Sequence, residues 1–233
     1  MKIGLFTDSH YSSMEVTCRT RRPSLSYGKI REAMEHFKGV DMVICLGDLI
    51  DHCENPADNE RHLSEITALI RGYGIPFYSL MGNHDCDVFT PDEFDALGGN
   101  RPPFRIRDGK TALIFLDANH TLDGCHYAVG EVEWTQCLIP QDQIEKLRMA
   151  LDDPQTERAY IFVHQNLDPD VQYQHIIANA DEVRSVLKQS GKAVKVIQGH
   201  FHPGHNNVID GIEYRTLPAM CEGEEHSFEI LEI

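Results

Sequence analysis

The chain has 233 residues, 41% of them hydrophobic and 25% charged, an ordinary globular composition that is long enough for a sizeable core and excludes a disordered chain. A formal net charge of -16 repels polyanions, which excludes general nucleic-acid binding and attachment to an anionic membrane surface while leaving small phosphates open if bound cations invert the field locally. The seven cysteines are odd in number, scattered and without a CxxC pair, so neither a disulfide framework nor a thiolate zinc site is expected, and a reducing cytosol suits them. In chain order, "KIGLFT" (2–7) opens as a buried strand; the segment is too short for a signal peptide or a membrane span, so a cytoplasmic protein is expected. Residues 24–38 come next with helical period, Leu25, Ile30, Ala33, Met34 and Phe37 falling on one face. Then come a strand in "DMVICLG" (41–47), a helix over 61–74 stopped by Gly72 and Gly74, and a strand in "PFYSLMG" (76–82). Residues 104–117 read as a hairpin around Asp108-Gly109 that includes the apolar run "TALIFLD" (111–117). A helix over 140–153 starts at Pro140, "RAYIFV" (158–163) is a strand, and a helix over 180–191 ends on Gly191. "AVKVIQG" (193–199) is a further buried strand, and the tail "NNVIDGIEYRTLP" with "HSFEILEI" reads as antiparallel strands turning at Asp210-Gly211. The alternation means an α/β protein with largely parallel pairing, mixed sheets packed face to face and helices outside. No repeat or linker interrupts it, so a single domain over residues 1–233 is expected.

The polar residues at the ends of the apolar runs are more specific. Asp8-Ser9-His10, Gly47-Asp48, Gly82-Asn83-His84-Asp85, His164 and Gly199-His200-Phe201-His202 each stand directly after a predicted strand. In open α/β sheets ligands bind beyond the carboxyl ends of the strands, so five such ends would converge on one edge. A lone histidine after a strand is most often a satisfied core or surface residue, and "GD" or "GN" is usually a turn. The joint pattern is what points to metal. Asp, Asn and His supply hard oxygens and imidazole nitrogens without thiolate, a set suited to Mn²⁺, Fe or Zn²⁺. Three oxygens and four imidazoles exceed one tetrahedral ion and suit two ions sharing a carboxylate. Alternate residues of an extended segment lie roughly 6.5 Å apart on one face, and paired metals sit about 3.5–4 Å apart, so His200 and His202 could each reach one ion. His52, His120, His126, His175 and His205 lack such placement and read as solvated or supporting residues.

Together these motifs resemble the calcineurin-like metallophosphoesterase superfamily, in the family's order from residue 8 to residue 202. The resemblance implies a four-layer α/β sandwich of two mixed β-sheets flanked by α-helices. It also implies two divalent transition-metal ions (Mn, Fe or Zn), with Asp8, His10 and His202 on the first, Asn83, His164 and His200 on the second, and Asp48 bridging. His84 would face the leaving group as its proton donor, and the nucleophile would be metal-bound hydroxide with no covalent intermediate on the protein. One departure is "HQNLDP" after His164, where many members have Pro two residues past the histidine, which bears on substrate rather than on the ligand.

Between the first motif and the first helix lies "CRTRRPSLSYGK", with Arg19, Arg21, Arg22 and Lys29 in a chain poor in basic residues. It is either a solvated loop or a grip for a second phosphate, since Arg suits bidentate recognition of anions. The stretch loosely resembles an Arg-rich segment of the manganese-dependent ADP-ribose/CDP-alcohol diphosphatases of that superfamily. The expected substrate is therefore a small phosphodiester or nucleotide pyrophosphate gripped by Arg21 and Arg22, with a phosphomonoesterase, a nuclease or a catalytically silent binding scaffold as the alternatives. The nuclease is disfavoured by the charge, and the scaffold by the completeness of the ligand set.

Overall fold

The computed structural model describes residues 1–15, 17–18, 20–223 and 227–233. The first half of the chain forms β1 (Lys2–Phe6), α1 (Ser26–His36), β2 (Met42–Cys45), α2 (Pro56–Arg71), β3 (Phe77–Ser79), α3 (Asn83–Val88), α4 (Pro91–Ala96), β4 (Arg105–Asp108) and β5 (Thr111–Phe115). The second half forms α5 (Gln141–Asp152), β6 (Arg158–Phe162), α6 (Ala180–Ser190), β7 (Ala193–Gln198), β8 (His205–Ile209), β9 (Ile212–Thr216) and β10 (Phe228–Glu232).

The strands build two mixed sheets, one in the order β10-β1-β2-β3 and the other β4-β5-β6-β7-β9-β8. Strand period sorts their side chains between two faces. Ile3, Leu5, Met42 and Ile44 of the first sheet meet Leu113, Phe115, Tyr160, Phe162 and Ile197 of the second in one buried cluster. The alternate residues Phe6, Val43, Cys45, Ala112, Ile114, Ala159 and Ile161 face outward onto apolar residues of the helices, including Ile30 and Met34 of α1, Leu63 and Ile66 of α2, Ile144 and Leu147 of α5, and Val183 and Leu187 of α6. The strands β1, β2, β5 and β6 are thus apolar on both faces, as strands covered on both sides require, while the edge strands β4, β8 and β10 carry polar residues. The result is the expected four-layer sandwich.

Local signals set most boundaries. Thr90 caps α4 through a reciprocal box with Glu93, and Gly191 closes α6 in the left-handed region at φ 62°. The hairpins turn where expected, at Asp108-Gly109 and Asp210-Gly211. Helix α2 starts five residues earlier than its periodicity suggested, because Asn55 accepts a hydrogen bond from the Ala57 N–H and Pro56 stands in the first turn. β10 leaves its neighbour β9 and returns to the first sheet, pairing antiparallel with β1 from Lys2–Glu232 to Phe6–Phe228. Among the described residues no helix is long and apolar enough to cross a membrane, and all seven cysteines are free.

Candidate metal centre

β1, β2 and β3 run parallel, as do β6 and β7, so their carboxyl ends gather on one edge of the sandwich. Asp8 and His10 leave β1, Asp48 leaves β2, Asn83 and His84 open α3 after β3, His164 leaves β6, and His200 and His202 leave β7. Among the described residues seven non-glycine positions have positive φ, and four of these are Asp8 (50°), His10 (43°), Asp48 (52°) and His200 (65°). Left-handed backbone at such residues costs of order 1–3 kcal/mol each and persists only where the surroundings over-determine it. Here the strand ends are bent so that their side chains point inward.

Asp48 is the hub. Its Oδ1 accepts a hydrogen bond from the His84 backbone N–H at 2.8 Å, while its Oδ2 lies 3.5 Å from His10 Nε2 and 3.4 Å from His164 Nε2. On one side of it, His10 and His202 have ring centroids 5.2 Å apart, and Asp8 Oδ1 is 3.6 Å from His202 Nε2 and 3.9 Å from His10 Nε2. On the other, His164 and His200 are 5.0 Å apart and His164 Nε2 is 3.3 Å from Asn83 Oδ1. All seven residues expected as ligands therefore meet at one place, on the two sides of a shared carboxylate.

The unused lone pairs point to cations. Among the described residues, Asp8 Oδ1, His10 Nε2 and His200 Nε2 are buried and find no hydrogen-bond partner. Leaving such groups unmet costs about 1–3 kcal/mol each, so native proteins rarely do it without a ligand. Neighbouring groups also fix the tautomers. His164 Nδ1 donates to the Leu46 carbonyl at 2.9 Å and His202 Nδ1 to Glu222 Oε1 at 2.7 Å, which turns both Nε2 atoms toward the centre. Burial lowers His10 to about 4 and holds His200 well below its ordinary value, so both imidazoles present neutral lone pairs. Burial opposes ionisation of Asp48, yet the imidazoles of His164, His84 and His10 outweigh it and hold the carboxyl well down. His164 is pushed up to about 9, burial being outweighed by Asp48. The proton shared by that pair is one a bound cation would replace. The donor set fits hard or borderline divalent ions.

Several participants were invisible in the sequence. Asp51, three residues after Asp48, is buried with its Oδ1 3.4 Å from His10 Nδ1, 3.2 Å from His84 Nδ1 and 3.3 Å from Arg21 Nη1. Cys221 is buried with Sγ 3.9 Å from His202 Nδ1, and burial raises its thiol far above the ordinary range. Asp85 directly follows His84 in the motif. It is fully buried and accepts from the N–H groups of Leu49, Ile50 and Gly82, fastening α3 to the β2 end. His84 itself is held above its ordinary value, because Asp48 and Asp51 outweigh the lowering effect of its burial.

The basic segment divides. Arg21 reaches the centre, its Nη1 3.3 Å from His84 Nε2. Arg22 donates its backbone N–H to the Cys221 carbonyl and is not among the residues lining the cavity. Lys29 turns inward and donates to the carbonyls of Met220, Glu222 and Gly223, so it braces the C-terminal loop. Arg19 lies outside the described residues. Where Pro is missing after His164, buried amides hold the loop instead, with Asn166 Nδ2 on the Gly199 carbonyl and Gln165 Nε2 on Asn119 Oδ1. Of the five histidines set aside, only His175 lines the cavity, and burial lowers it to about 4.

That cavity, of about 460 Å³, opens over Asp48, Asn83, His84, His200 and His202, with Cys18, Arg21, Trp134, Gln172, Phe201 and Pro203 around it. Its size suits a small molecule. The glycines of the motifs are spacers: a Cβ on Gly82 would lie 2.1 Å from Asp48 Oδ1, and one on Gly47 (φ 116°) 2.5 Å from His164 Nδ1. Gly82→Ala is therefore expected to displace the Asp48 carboxylate, lowering metal content at both sides of the centre and costing about 1–3 kcal/mol of stability from overpacking. Metal analysis and thermal unfolding of the variant check this, and retention of full metal content would show that the backbone yields instead.

A sequence profile described as calcineurin-like phosphoesterase matches residues 1–204. The chain is 22% identical over 200 residues to the 3′,5′-cyclic adenosine monophosphate phosphodiesterase CpdA of Haemophilus influenzae, covering 82% of this chain and 65% of that protein. It is 27% identical over 202 residues to the CpdA of Escherichia coli K12, covering 84% and 67% respectively. The chain thus spans about two thirds of the length of these relatives. Among solved structures, a dimetal phosphatase from Danio rerio superposes with a TM-score of 0.87 at 20% identity, covering 98% of this chain and 91% of the other. A purple acid phosphatase from yellow lupin gives 0.62 at 12% identity, covering 100% and 46%.

Proposed function

The chain belongs to the calcineurin-like phosphoesterase family, and from that premise we propose that it is a dinuclear metal-dependent phosphohydrolase cleaving a phosphodiester or nucleotide-pyrophosphate bond of a small molecule. The observation that carries this reading is the ring of buried donors around Asp48, three of them with an atom that no protein hydrogen bond satisfies. Asp8, His10 and His202 would hold one divalent ion, Asn83, His164 and His200 the other, and Asp48 both. Residues 1–233 act as one unit, because each half of the ligand set draws on both sheets. Bound ions of this kind supply Lewis-acid polarisation of the phosphoryl group and activation of water.

The chain's own groups do the rest. His84 is assigned the proton for the leaving oxygen, delivered from Nε2. Both of its ring nitrogens already have partners, Asp51 at Nδ1 and Arg21 at Nε2, which supports a role other than metal ligand. Asp51 holds the Nδ1–H and so fixes the ring and favours its protonated form. A guanidinium donates but never accepts, so the Arg21 contact suits neutral His84; a protonated ring releases Arg21 toward the cavity. Arg21 keeps its Asp51 partner through Nη1 and has its remaining N–H groups to grip a second anionic group of the substrate, which favours diesters and pyrophosphates over simple monoesters. The similarity to proteins described as cyclic nucleotide phosphodiesterases supports the same choice.

A screen of monoesters, diesters and nucleotide pyrophosphates with Mn²⁺, Fe²⁺ and Zn²⁺ tests the assignment. Arg21→Ala is expected to raise KM for a nucleotide pyrophosphate about tenfold or more, as loss of a charge-assisted hydrogen bond does, with a smaller change on a small aryl diester. Arg22→Ala, off the cavity, should change KM less than Arg21→Ala. Strong preference for monoesters with no effect of Arg21 would sink the diester assignment and leave the dinuclear centre standing.

A further inference from the structure

Beside the candidate metal centre lies a group of aromatic rings that the reaction does not use. Trp134, the only tryptophan of the chain, lies in the irregular stretch between β5 and α5, is 38% exposed, and lines the cavity over the metal residues. Its ring centroid is 5.3 Å from that of His175 and 5.8 Å from that of His200, and His175 in turn lies 5.3 Å from Phe201. These contacts are tilted or edge-on, at 45° to 67°, so the rings do not cover one another's faces. Neither Trp134 nor Phe201 belongs to the apolar clusters between or outside the sheets.

The backbone that carries the tryptophan is also held in place. It stands in a turn closed by the Gln136 N–H on the Glu133 carbonyl at 2.9 Å. The buried Tyr127 hydroxyl lies within hydrogen-bond reach of both the Glu133 and Gln136 carbonyls, at 3.3 and 3.0 Å, one on each side of Trp134. A large apolar ring carried on this braced turn beside a polar cavity, rather than folded into the core, is placed to meet a planar partner, because the backbone that bears it has little freedom left to lose on binding. Gln172 also lines the cavity.

We infer that Trp134, with His175 and Phe201, forms the subsite for the flat heteroaromatic base of a nucleoside phosphate whose phosphoryl group lies over Asp48. This rests on the reading of the cavity as a phosphohydrolase site and deepens it: the substrate class becomes a nucleotide rather than an aliphatic diester. Base–aromatic stacking is worth on the order of tenfold to a hundredfold in affinity per ring, enough to decide between the two classes.

The test uses the full chain loaded with Mn²⁺ and two probes, adenosine 5′-monophosphate and ribose 5-phosphate, with binding read by calorimetry and by the emission of the single tryptophan. The nucleotide is expected to quench Trp134 and to bind about tenfold or more tightly than the sugar phosphate. Trp134→Ala should bring the two affinities to within about twofold, and Trp134→Phe should restore most of the preference. Equal affinities in the wild-type protein, unchanged emission at calorimetric saturation with the nucleotide, or a preference that survives Trp134→Ala would each overturn the subsite. The wild-type emission needs no variant to fold. Phosphate release from the two monoesters, measured in parallel, reports failure of the diester assignment, whereas the ratio of affinities reports the subsite, so the two failures are told apart.

Discussion

Asp48→Asn is expected to leave a folded protein that has lost metal from both sides of the centre, falling from about two ions per chain toward none, and with it turnover. The amide is nearly isosteric, and its oxygen can still accept the His84 backbone N–H that Asp48 Oδ1 accepts now. Its nitrogen would stand where Oδ2 lies 3.5 Å from His10 Nε2 and 3.4 Å from His164 Nε2. An N–H₂ group there donates to the imidazole lone pairs that would otherwise hold cations, and it cannot bridge two of them. His202→Ala, by contrast, removes a donor from one side only and should empty mainly that side. Elemental analysis beside turnover reads both variants. Active protein with a single ion, together with an Asp48→Asn variant of unchanged rate, would remove the dinuclear assignment.

His84→Ala should keep its metal and lose on the order of 10²–10⁴ in rate on substrates with poor leaving groups. The loss should shrink on a nitrophenyl ester, whose phenolate departs without a proton. The residue is suited to this test because Asp51 and Arg21 engage both of its ring nitrogens, its ring meets His10 only edge-on with centroids 4.5 Å apart, and its backbone N–H, which Asp48 needs, survives the substitution. An equal loss on both kinds of ester, or departure of the metal, would take the proton-donor role from His84 and make it a positioning or ligating residue.

The candidate ligand set was legible because two local signals coincide. Buried strands announce themselves by apolar runs, and a polar residue directly after such a run is carried to the strand's carboxyl end whatever the rest of the chain does. Parallel pairing then brings those ends to one edge, so Asp8, His10, Asp48, Asn83, His84, His164, His200 and His202 meet without any of them being placed individually. The helices with period, the Gly191 stop and the two Asp-Gly turns were legible for the same reason, each being decided within a few residues. Short α3 and α4 were not, since six residues carry too little period to register.

What the sequence by itself determined is thus the α/β class, the alternation of elements, and which side chains reach the sheet edge, because hydrophobic period and turn chemistry act over a turn or a strand. The tertiary structure alone decided which of the remaining polar and aromatic groups join them. Lys29 and Arg21 belong to one basic stretch, yet Lys29 is spent on carbonyls some 190 residues away and Arg21 faces His84. Asp51 becomes the partner of four side chains (Thr17, His10, Arg21 and His84), Trp134 and His175 come to stand over His200, and β10 closes the first sheet against β1. Each of these depends on segments tens to hundreds of residues apart being packed side by side, and the burial that selects such contacts exists only once both sheets and their helices have closed on one another.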